Sequence, residues 1–262
     1  MNNIGTLLMK GLMGLSIGAF TLLIVMPLLA LLYNIGLNLN VSIDYRDILG
    51  PLILSVITSL ISTIISFFIG IPLAYLLTYK EFPFKEVLDI MINLPLVIPP
   101  TVAGYLLLIT FGRYGIIGYP LHLLGITIMF STFAIILAQT FVALPFMVRS
   151  VKTSFEDIPP SLIDASKTLG AGEYEIFKEI ILPLSKPGII SGVILTYARA
   201  MGEFGATMMV SGLLSTLPIA IFNSAQSGNR EVANILSLIL ILISFGILAL
   251  FKRIGYGKLK KN

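Results

Sequence analysis

The chain has 262 residues, of which 56% are hydrophobic and only 11% are charged. Soluble domains carry about a quarter charged residues, so this composition excludes a water-compatible surface and predicts an integral membrane protein. The absence of cysteine and the single histidine exclude disulfides, thiol nucleophiles and cysteine-ligated metal sites. The formal net charge of +4 comes without the concentrated basic face that nucleic-acid binding needs.

Long apolar windows with few or no charges predict an all-α protein with six transmembrane helices. Each window reaches the roughly 20 apolar residues that a helix needs to cross a bilayer. Helices also satisfy every backbone polar group within the segment, as lipid requires. The first window is too long for a signal-peptide core and is interpreted as a retained span. The predicted spans cover about residues 12–33, 52–78, 88–111, 128–149, 187–212 and 232–251.

The basic residues predict the orientation of these spans. Of the 17 Lys and Arg residues, 13 flank one side of the predicted spans, three flank the other side, and Arg199 lies within a span. Because Lys and Arg accumulate in cytoplasmic loops, both termini and the polar loop 150–188 are expected in the cytoplasm.

Proline and glycine interrupt three of the predicted spans. The third contains Pro95, Pro99 and Pro100, the fourth contains Pro145, and the fifth contains Gly202 and Gly205. Such residues free backbone groups at membrane depth, which must be satisfied by packed protein or by a water-filled cavity. A packed kink and a path-lining break are both open for each one, but three prolines within six residues favour a path.

The loop 150–188 is helix-patterned although it is polar. Ser161 is the predicted N-cap of a first helix, and Gly170 is predicted to end it. A second amphipathic helix is expected to close at Leu182-Pro183, with the next span opening at Pro187. A membrane-surface connection is the alternative, but two short helices with apolar stripes favour a docking element.

The motif Asp164-Ala165-Ser166, followed by Gly170, Ile180 and Leu182-Pro183, resembles the EAA loop of ABC importer permeases. That pattern is E-A-A, three residues, G, nine residues, then I-x-L-P; Asp164 and Ser166 are the two departures. The resemblance implies a type I permease fold in which the first loop helix is a coupling helix that contacts a separate ATPase. The contacts that it implies are Asp164, Ala165, Ser166, Leu169 and Gly170.

This resemblance also implies a division of labour between chains. The sequence contains no G-x-x-x-x-G-K-[ST] phosphate loop, so ATP and Mg²⁺ are expected on the partner ATPase and no cofactor on this chain. The implied assembly is a homodimer in the plasma membrane with two ATP-binding subunits and an external oxyanion-binding protein. The chain is then a transport subunit and not an enzyme.

Two charges lie inside the fifth predicted span. Arg199 and Glu203 are four residues apart, so a helix brings them face to face. Charges at this depth usually face a bundle interior or a water-filled cavity. An internal ion pair that fixes helix geometry and a cation that helps an anion to pass are both open.

The stretch from Tyr197 to Ile221 is similar to molybdate permeases, through the pattern A-R-A-x-G-E-F-G-A-T followed by T-L-P-x-A-I. Sulfate permeases share its R-A-x-G-E-F-G core, which alone indicates a tetrahedral oxyanion. Molybdate and tungstate are nearly isosteric, so the permease sequence does not separate them. Polar residues predicted to lie near the path, with Arg199 and Glu203, are Asn93, Thr101, Thr207 and Ser211. His122 is expected at the surface of an outer loop.

The leading hypothesis is therefore the membrane subunit of an ATP-driven molybdate or tungstate importer that works by alternating access. The domains are expected at residues 1–49 (first transmembrane helix and external loop), 50–252 (permease domain, with the coupling loop 150–188) and 253–262 (cytoplasmic basic tail). A sulfate-type permease is one alternative. An ion-coupled secondary transporter is another, although Glu203 is the one acidic residue deep in a predicted span.

Overall fold

A computed structural model of the chain describes residues 2–37 and 45–259, and all regular structure within these ranges is helical. The chain opens with one continuous helical rod, made of α1 (Asn2–Phe20), a π-helical turn (Thr21–Val25) and α2 (Met26–Leu37). The part from Met9 to Gly36 is long and apolar enough to cross a bilayer. None of its most apolar window is buried, so this rod stands at the edge of the molecule.

Eleven further α-helices follow in the second described range. They are α3 (Tyr45–Tyr79), α4 (Lys85–Asn93), α5 (Pro100–Phe111), α6 (Gly118–Leu123), α7 (Thr132–Glu156), α8 (Pro160–Thr168), α9 (Glu173–Ile176), α10 (Leu182–Met201), α11 (Gly205–Val210), α12 (Leu217–Gln226) and α13 (Arg230–Leu259). A 3-10 turn (Leu94–Leu96) extends α4, and a π-helical turn (Phe177–Ile181) joins α9 to α10 without a gap.

Helices α3, α7 and α10 form the packed centre, and small residues let them approach closely. A methyl group added at Gly70 on α3 would lie 2.6 Å from Met147 Cγ on α7. One added at Gly188 on α10 would lie 2.2 Å from Ser154 Cβ on α7. Lipid gives apolar side chains no advantage between helices, so close packing of small residues is what holds such helices together. Small hydroxyl residues continue this pattern along the buried face of α3 (Ser55, Thr58, Ser59, Ser62, Thr63 and Ser66).

Six spans are confirmed when the third is counted as a bent pair. Five single helices meet the length and hydropathy of a span, and α4 with its 3-10 turn meets α5 at a bend of 113°. The predicted interruption of the third span is therefore confirmed. Pro95, Pro99 and Pro100 cause the break, because proline lacks the backbone N–H that a continuing helix needs.

The other two predicted breaks have opposite outcomes. The break at Gly202 and Gly205 is confirmed, because α10 ends at Met201 and α11 begins at Gly205. The break at Pro145 is wrong, since α7 runs through it without interruption. Transmembrane helices tolerate proline where neighbouring protein satisfies the freed carbonyl.

The second loop helix does not close at Leu182-Pro183 as the sequence predicted. One continuous helical segment runs from Glu173 to Met201 and includes Pro183 and Pro187. The π-helical turn explains this, since the Leu182 N–H bonds to the Phe177 carbonyl in the wider i→i+5 pattern immediately before Pro183. The widened turn gives the proline ring room that a regular α-helical turn lacks.

The expected domain limits fall within helices. The limit at 49/50 lies inside α3, which begins at Tyr45, and the limit at 252/253 lies inside α13, which continues to Leu259. Tail residues 260–262 lie outside the described residues. His122 lies in α6 and is half-buried, so the expectation of a simple surface histidine is wrong.

Candidate coupling surface and translocation path

Helix α8 begins two residues earlier than the sequence predicted. Pro159 is its N-cap and Pro160 occupies the first helical position, so the N-cap prediction for Ser161 is wrong. Proline suits this position because its fixed φ is already helical and the N–H it lacks would have no partner there. The rigid Pro159-Pro160 pair leaves only three residues, 157–159, between the end of α7 and the start of α8.

Gly170 ends α8, as predicted. Its φ of +88° lies in the left-handed region, which glycine adopts without a Cβ clash. The Gly170 N–H donates to the Lys167 carbonyl, and the Ala171 N–H donates to the Ser166 carbonyl, each at 3.0 Å. These two bonds form a Schellman motif, which turns the chain sharply out of the helix.

The predicted coupling residues lie together on this projecting helix. Leu169 is 89% exposed and Leu162 is 46% exposed, while Asp164, Ala165 and Gly170 are also exposed. Ser166 is half-buried, and its hydroxyl donates to the Leu162 carbonyl at 2.8 Å. Exposed apolar side chains that lie on one face, as Leu162 and Leu169 do at a spacing of seven residues, are a feature of interaction surfaces. This exposed helix can fit into a complementary groove on another protein.

Polar contacts hold the segments before and after α8 against the end of α3. The Tyr79 hydroxyl donates to the Phe155 carbonyl at 2.9 Å, and Lys80 Nζ lies 2.8 Å from the Glu173 carboxylate. The hydrogen bond to Glu173 raises the pKa of Lys80 above its ordinary value. The Gly172 N–H donates to Glu175 Oε2 at 2.9 Å and fixes the start of α9.

Arg199 and Glu203 form the predicted ion pair, with Nη2 and Oε2 2.7 Å apart. The Glu203 side chain is 1% exposed and the Arg199 side chain is 28% exposed. The second carboxylate oxygen of Glu203 accepts the Ala206 N–H at 2.7 Å, at the start of α11. Glu203 is thus held between the end of α10 and the start of α11, in the break at Gly202.

Two more of the predicted path residues, Thr207 in α11 and Ser211 directly after it, are buried. Thr207 Oγ1 lies 3.0 Å from the Glu203 carbonyl and 2.9 Å from the Phe204 carbonyl. Helix α11 packs on α5 so closely that a Cβ on Gly104 would lie 2.7 Å from the Ala206 carbonyl oxygen. These hydroxyls therefore belong to buried residues in the packing around α11.

Thr101 and Asn93 have different surroundings. Thr101 is exposed at the start of α5, where Gly205 lies against Pro100. Asn93 is half-buried at the end of α4, and its Nδ2 donates to the Asp89 carbonyl and carboxylate at 2.7 and 3.1 Å. Of the predicted path residues, Asn93 is the one whose side chain borders one of the cavities described next.

Two neighbouring cavities open between the proline break, α7 and α10. Their volumes are about 750 and 490 Å³, and both are lined by Leu96, Arg149 and Thr153. Asn93 belongs to the smaller one, while Ser191 of α10 belongs to the larger one. Arg149 is one of the 13 basic residues whose distribution predicts the orientation, and the sequence pattern predicts no further role for it. Its spacing of four residues from Thr153, next to a charge-free span, was the available signal for a polar helix face.

The comparisons with known proteins identify the family. The family described as "Binding-protein-dependent transport system inner membrane component" matches residues 66–255. The chain belongs to this family. Membership makes it a multi-pass protein of the plasma membrane and the membrane subunit of an ABC transporter, in which the ATPase is a separate subunit.

Curated relatives cover most of the chain. It is 36% identical over 94% of its length to a probable molybdenum ABC transporter permease protein of Haloferax volcanii, covering 90% of that protein. It is 34% identical over 89% of its length to the probable transport system permease protein NifC of Clostridium pasteurianum, covering 83% of that protein. It is 41% identical over 68% of its length to the molybdenum transport system permease protein ModB of Escherichia coli, covering 80% of that protein.

Solved structures confirm the predicted type I importer fold. A bacterial ABC transporter involved in alginate import matches with a TM-score of 0.71 and 14% identity, over 96% of both chains. The MetNI methionine ABC transporter matches with a TM-score of 0.60 and 22% identity, over 79% of this chain and 95% of that one.

Proposed function

We propose that this chain is the membrane-spanning subunit of an ATP-driven importer that moves molybdate or tungstate into the cell. The observation that carries the proposal is the 41% identity over 184 residues to a permease named for molybdenum transport, supported by a second such relative from Haloferax volcanii. The working assembly is a homodimer with two ATP-binding subunits and one external oxyanion-binding protein.

In this proposal the loop 150–188 and both termini face the cytoplasm, following the distribution of basic residues. Helix α8 then enters a groove on the ATPase. ATP and Mg²⁺ bind to that partner, because this chain has no phosphate loop. The contacts with the ATPase are Asp164, Ala165, Ser166, Leu169 and Gly170.

Alternating access follows from the short links around α8. The α7 helix precedes it after three residues, and α9 follows it after the Gly170 turn. A movement of the ATPase surface is passed to α7 and α10 because both links are short. The membrane part of the path is then opened to one side at a time.

Two alternatives differ in what drives or enters the transporter. A sulfate-type permease shares the ATP-driven mechanism, but the named relatives favour molybdate. Ion-coupled secondary transporters are typically built with intramembrane carboxylates or inverted repeats, whereas the Glu203 carboxylate here is buried and paired with Arg199. The family match also favours a transporter that depends on a binding protein.

Reconstitution of the complete complex in vesicles tests the proposal. We expect ATP hydrolysis and molybdate uptake to rise together when the molybdate-loaded binding protein is present outside. Sulfate-loaded binding protein is the matched control and should give neither. Uptake that continues without ATP, or that follows sulfate instead, would contradict the proposal.

A further inference from the structure

The two arginines near the proposed path, Arg149 and Arg199, differ in whether their guanidinium groups have a partner. Arg199, which the sequence singled out, is held by the buried Glu203 carboxylate at 2.7 Å. Arg149 is exposed and has no ion pair or hydrogen bond to any residue in the described ranges. A guanidinium with five unused N–H donors is suited to a tetrahedral oxyanion, which accepts paired hydrogen bonds.

Arg149 lies where two cavities adjoin the proline break of the third span. It lines both cavities, together with Leu96 from the proline-rich break and Thr153 from the next turn of α7. Non-helical backbone inside a membrane protein is tolerated where it is packed in protein or lines a water-filled cavity. Asn93, predicted from the sequence to lie near the path, borders the smaller cavity.

The serine hydroxyls that line the larger cavity already donate to backbone carbonyls, so Arg149 and Thr153 are the side chains there that can donate to an anion. Ser150 Oγ donates to the Gly188 carbonyl at 2.9 Å, and Ser191 Oγ donates to the Pro187 carbonyl at 2.9 Å. Ser154 Oγ lies 3.4 Å from the Ser185 carbonyl. Their protons are therefore engaged with backbone, so an anion in the larger cavity would be bound by few groups.

The nearby charges make the site weak, as a transport path needs. Lys152 Nζ lies 2.7 Å from Asp89 Oδ2 and 4.0 Å from Glu156 Oε1. One ammonium thus faces two carboxylates, and the net negative charge of this group weakens anion binding in the smaller cavity. Asp157 lines the larger cavity eight residues beyond Arg149, about 12 Å along the helix axis. A carboxylate at that distance repels a dianion that has moved past Arg149. Conduction needs binding that is favourable enough for entry and weak enough for release.

We infer that the two neighbouring cavities at Arg149 form a weak binding site for the transported tetrahedral oxyanion. The site lies near one end of the path, the end at which Asp157 is found. This inference rests on the proposed function, and it assigns the anion-facing cation to Arg149 instead of Arg199. The phosphate of a lipid headgroup has the same chemistry, so the experiment separates the two sources.

The uptake test uses the complete complex in vesicles of phosphatidylcholine, alone or mixed with phosphatidylglycerol. We expect Arg149→Gln to lower molybdate uptake about tenfold in both lipids, as expected for losing a charge-assisted hydrogen-bonding partner, while Arg149→Lys keeps most of it. Lys178→Gln is the matched control, because it removes an exposed basic charge from the loop 150–188 at a position away from the cavities, and should match the unaltered complex. ATPase assembly should be intact in all three variants. Unchanged uptake in Arg149→Gln, or a defect confined to vesicles with phosphatidylglycerol, would overturn the inference.

A direct readout separates this inference from the proposed function. Crystals of the complex soaked with tungstate should show anomalous scattering beside Arg149, and crystals of Arg149→Gln should not. Absence of the signal in the unaltered complex overturns the site even when uptake is normal. If the signal is present but the unaltered complex takes up no molybdate, the proposed function fails and the site stands.

Discussion

Glu203 has two partners that belong to different helices. Its carboxylate binds Arg199 of α10 and the Ala206 N–H of α11, and it is almost fully buried. A buried carboxylate is tolerated only when its charge and lone pairs are satisfied, so both contacts are needed. The ion pair thus stabilises the turn at Gly202. This supports an internal ion pair that fixes helix geometry over a cation that helps an anion to pass, the two interpretations that the sequence left open.

Arg199→Ala should destabilise the complex without altering the path. It leaves the Glu203 carboxylate buried and unpaired, and removing one partner of a buried pair costs about 3 kcal/mol. Thermal unfolding of the purified complex measures the loss, and Arg199→Lys is the matched control that keeps the charge. Uptake per folded complex should be unchanged. A large loss of uptake at normal stability would instead place Arg199 in the path.

The sequence predicted the Arg199–Glu203 pair because helical spacing alone brings residues four apart together. It did not predict that Thr207 and Ser211 would be buried in the packing of α11, since that depends on where α11 meets α5. Arg149 was missed for the same reason. Whether an arginine near a helix end faces water, lipid or a cavity is decided by neighbouring helices that are distant in the sequence.

At the scale of elements, α8 is built for contact with another protein. Leu169 should be needed for that contact but not for the fold, because it is 89% exposed. We expect Leu169→Asp to weaken ATPase association at least tenfold, since it places a charge in an apolar contact, with thermal stability of this chain unchanged. Co-purification with the ATPase measures the loss. Leu213→Asp is the matched control, since Leu213 is equally exposed but lies in the loop after α11, and it should retain the ATPase.

The contact between α7 and α10 gives a second prediction for elements. Gly188→Ala would bring its Cβ to 2.2 Å from Ser154 Cβ, and we expect destabilisation of roughly 1–3 kcal/mol from overpacking. Adding Ser154→Gly should recover most of the loss, because it removes the side chain that clashes. Gly14→Ala, with no atom within 4 Å of the new methyl group, is the control in thermal unfolding. Failure of the double variant to recover stability would show that backbone contacts set the limit.

The element boundaries show where sequence patterns are informative. The Gly170 turn was predictable, because only local backbone geometry is involved. The continuity of α9 with α10 was not, because it depends on a π-helical turn that lets the helix continue into Pro183. Pro145 and Pro183 were both read as breaks, although in a membrane the surrounding helices satisfy the freed groups.

For the whole molecule, the absence of cysteine makes the predicted orientation directly testable. Thr168→Cys in α8 and Tyr114→Cys after α5 are both at exposed positions, so neither should disturb the fold. We expect a membrane-impermeant maleimide, added to intact cells, to label Tyr114→Cys and to label Thr168→Cys only after the cells are opened. The reverse pattern would contradict the assignment of loop 150–188 to the cytoplasm.

The number of spans and the class of fold were predictable, because both depend on composition and on the length of apolar segments. The bend of 113° was predictable as a break but not as an angle, since three prolines fix where a helix stops and not where the next one points. The exposure of the first span was not predictable either. An apolar helix has the same pattern whether lipid or protein surrounds it.

The uninterrupted helix from Glu173 to Met201 has a mechanical consequence. Its 29 residues form a stiff lever about 43 Å long, with the α8 turn at one end and the Gly202 break at the other. If Gly202 is the pivot, each degree of tilt moves the far end by about 0.75 Å, so a stroke of a few ångströms needs only a few degrees of rotation. The same ratio turns a large displacement at the ATPase into a small change of angle beside Glu203.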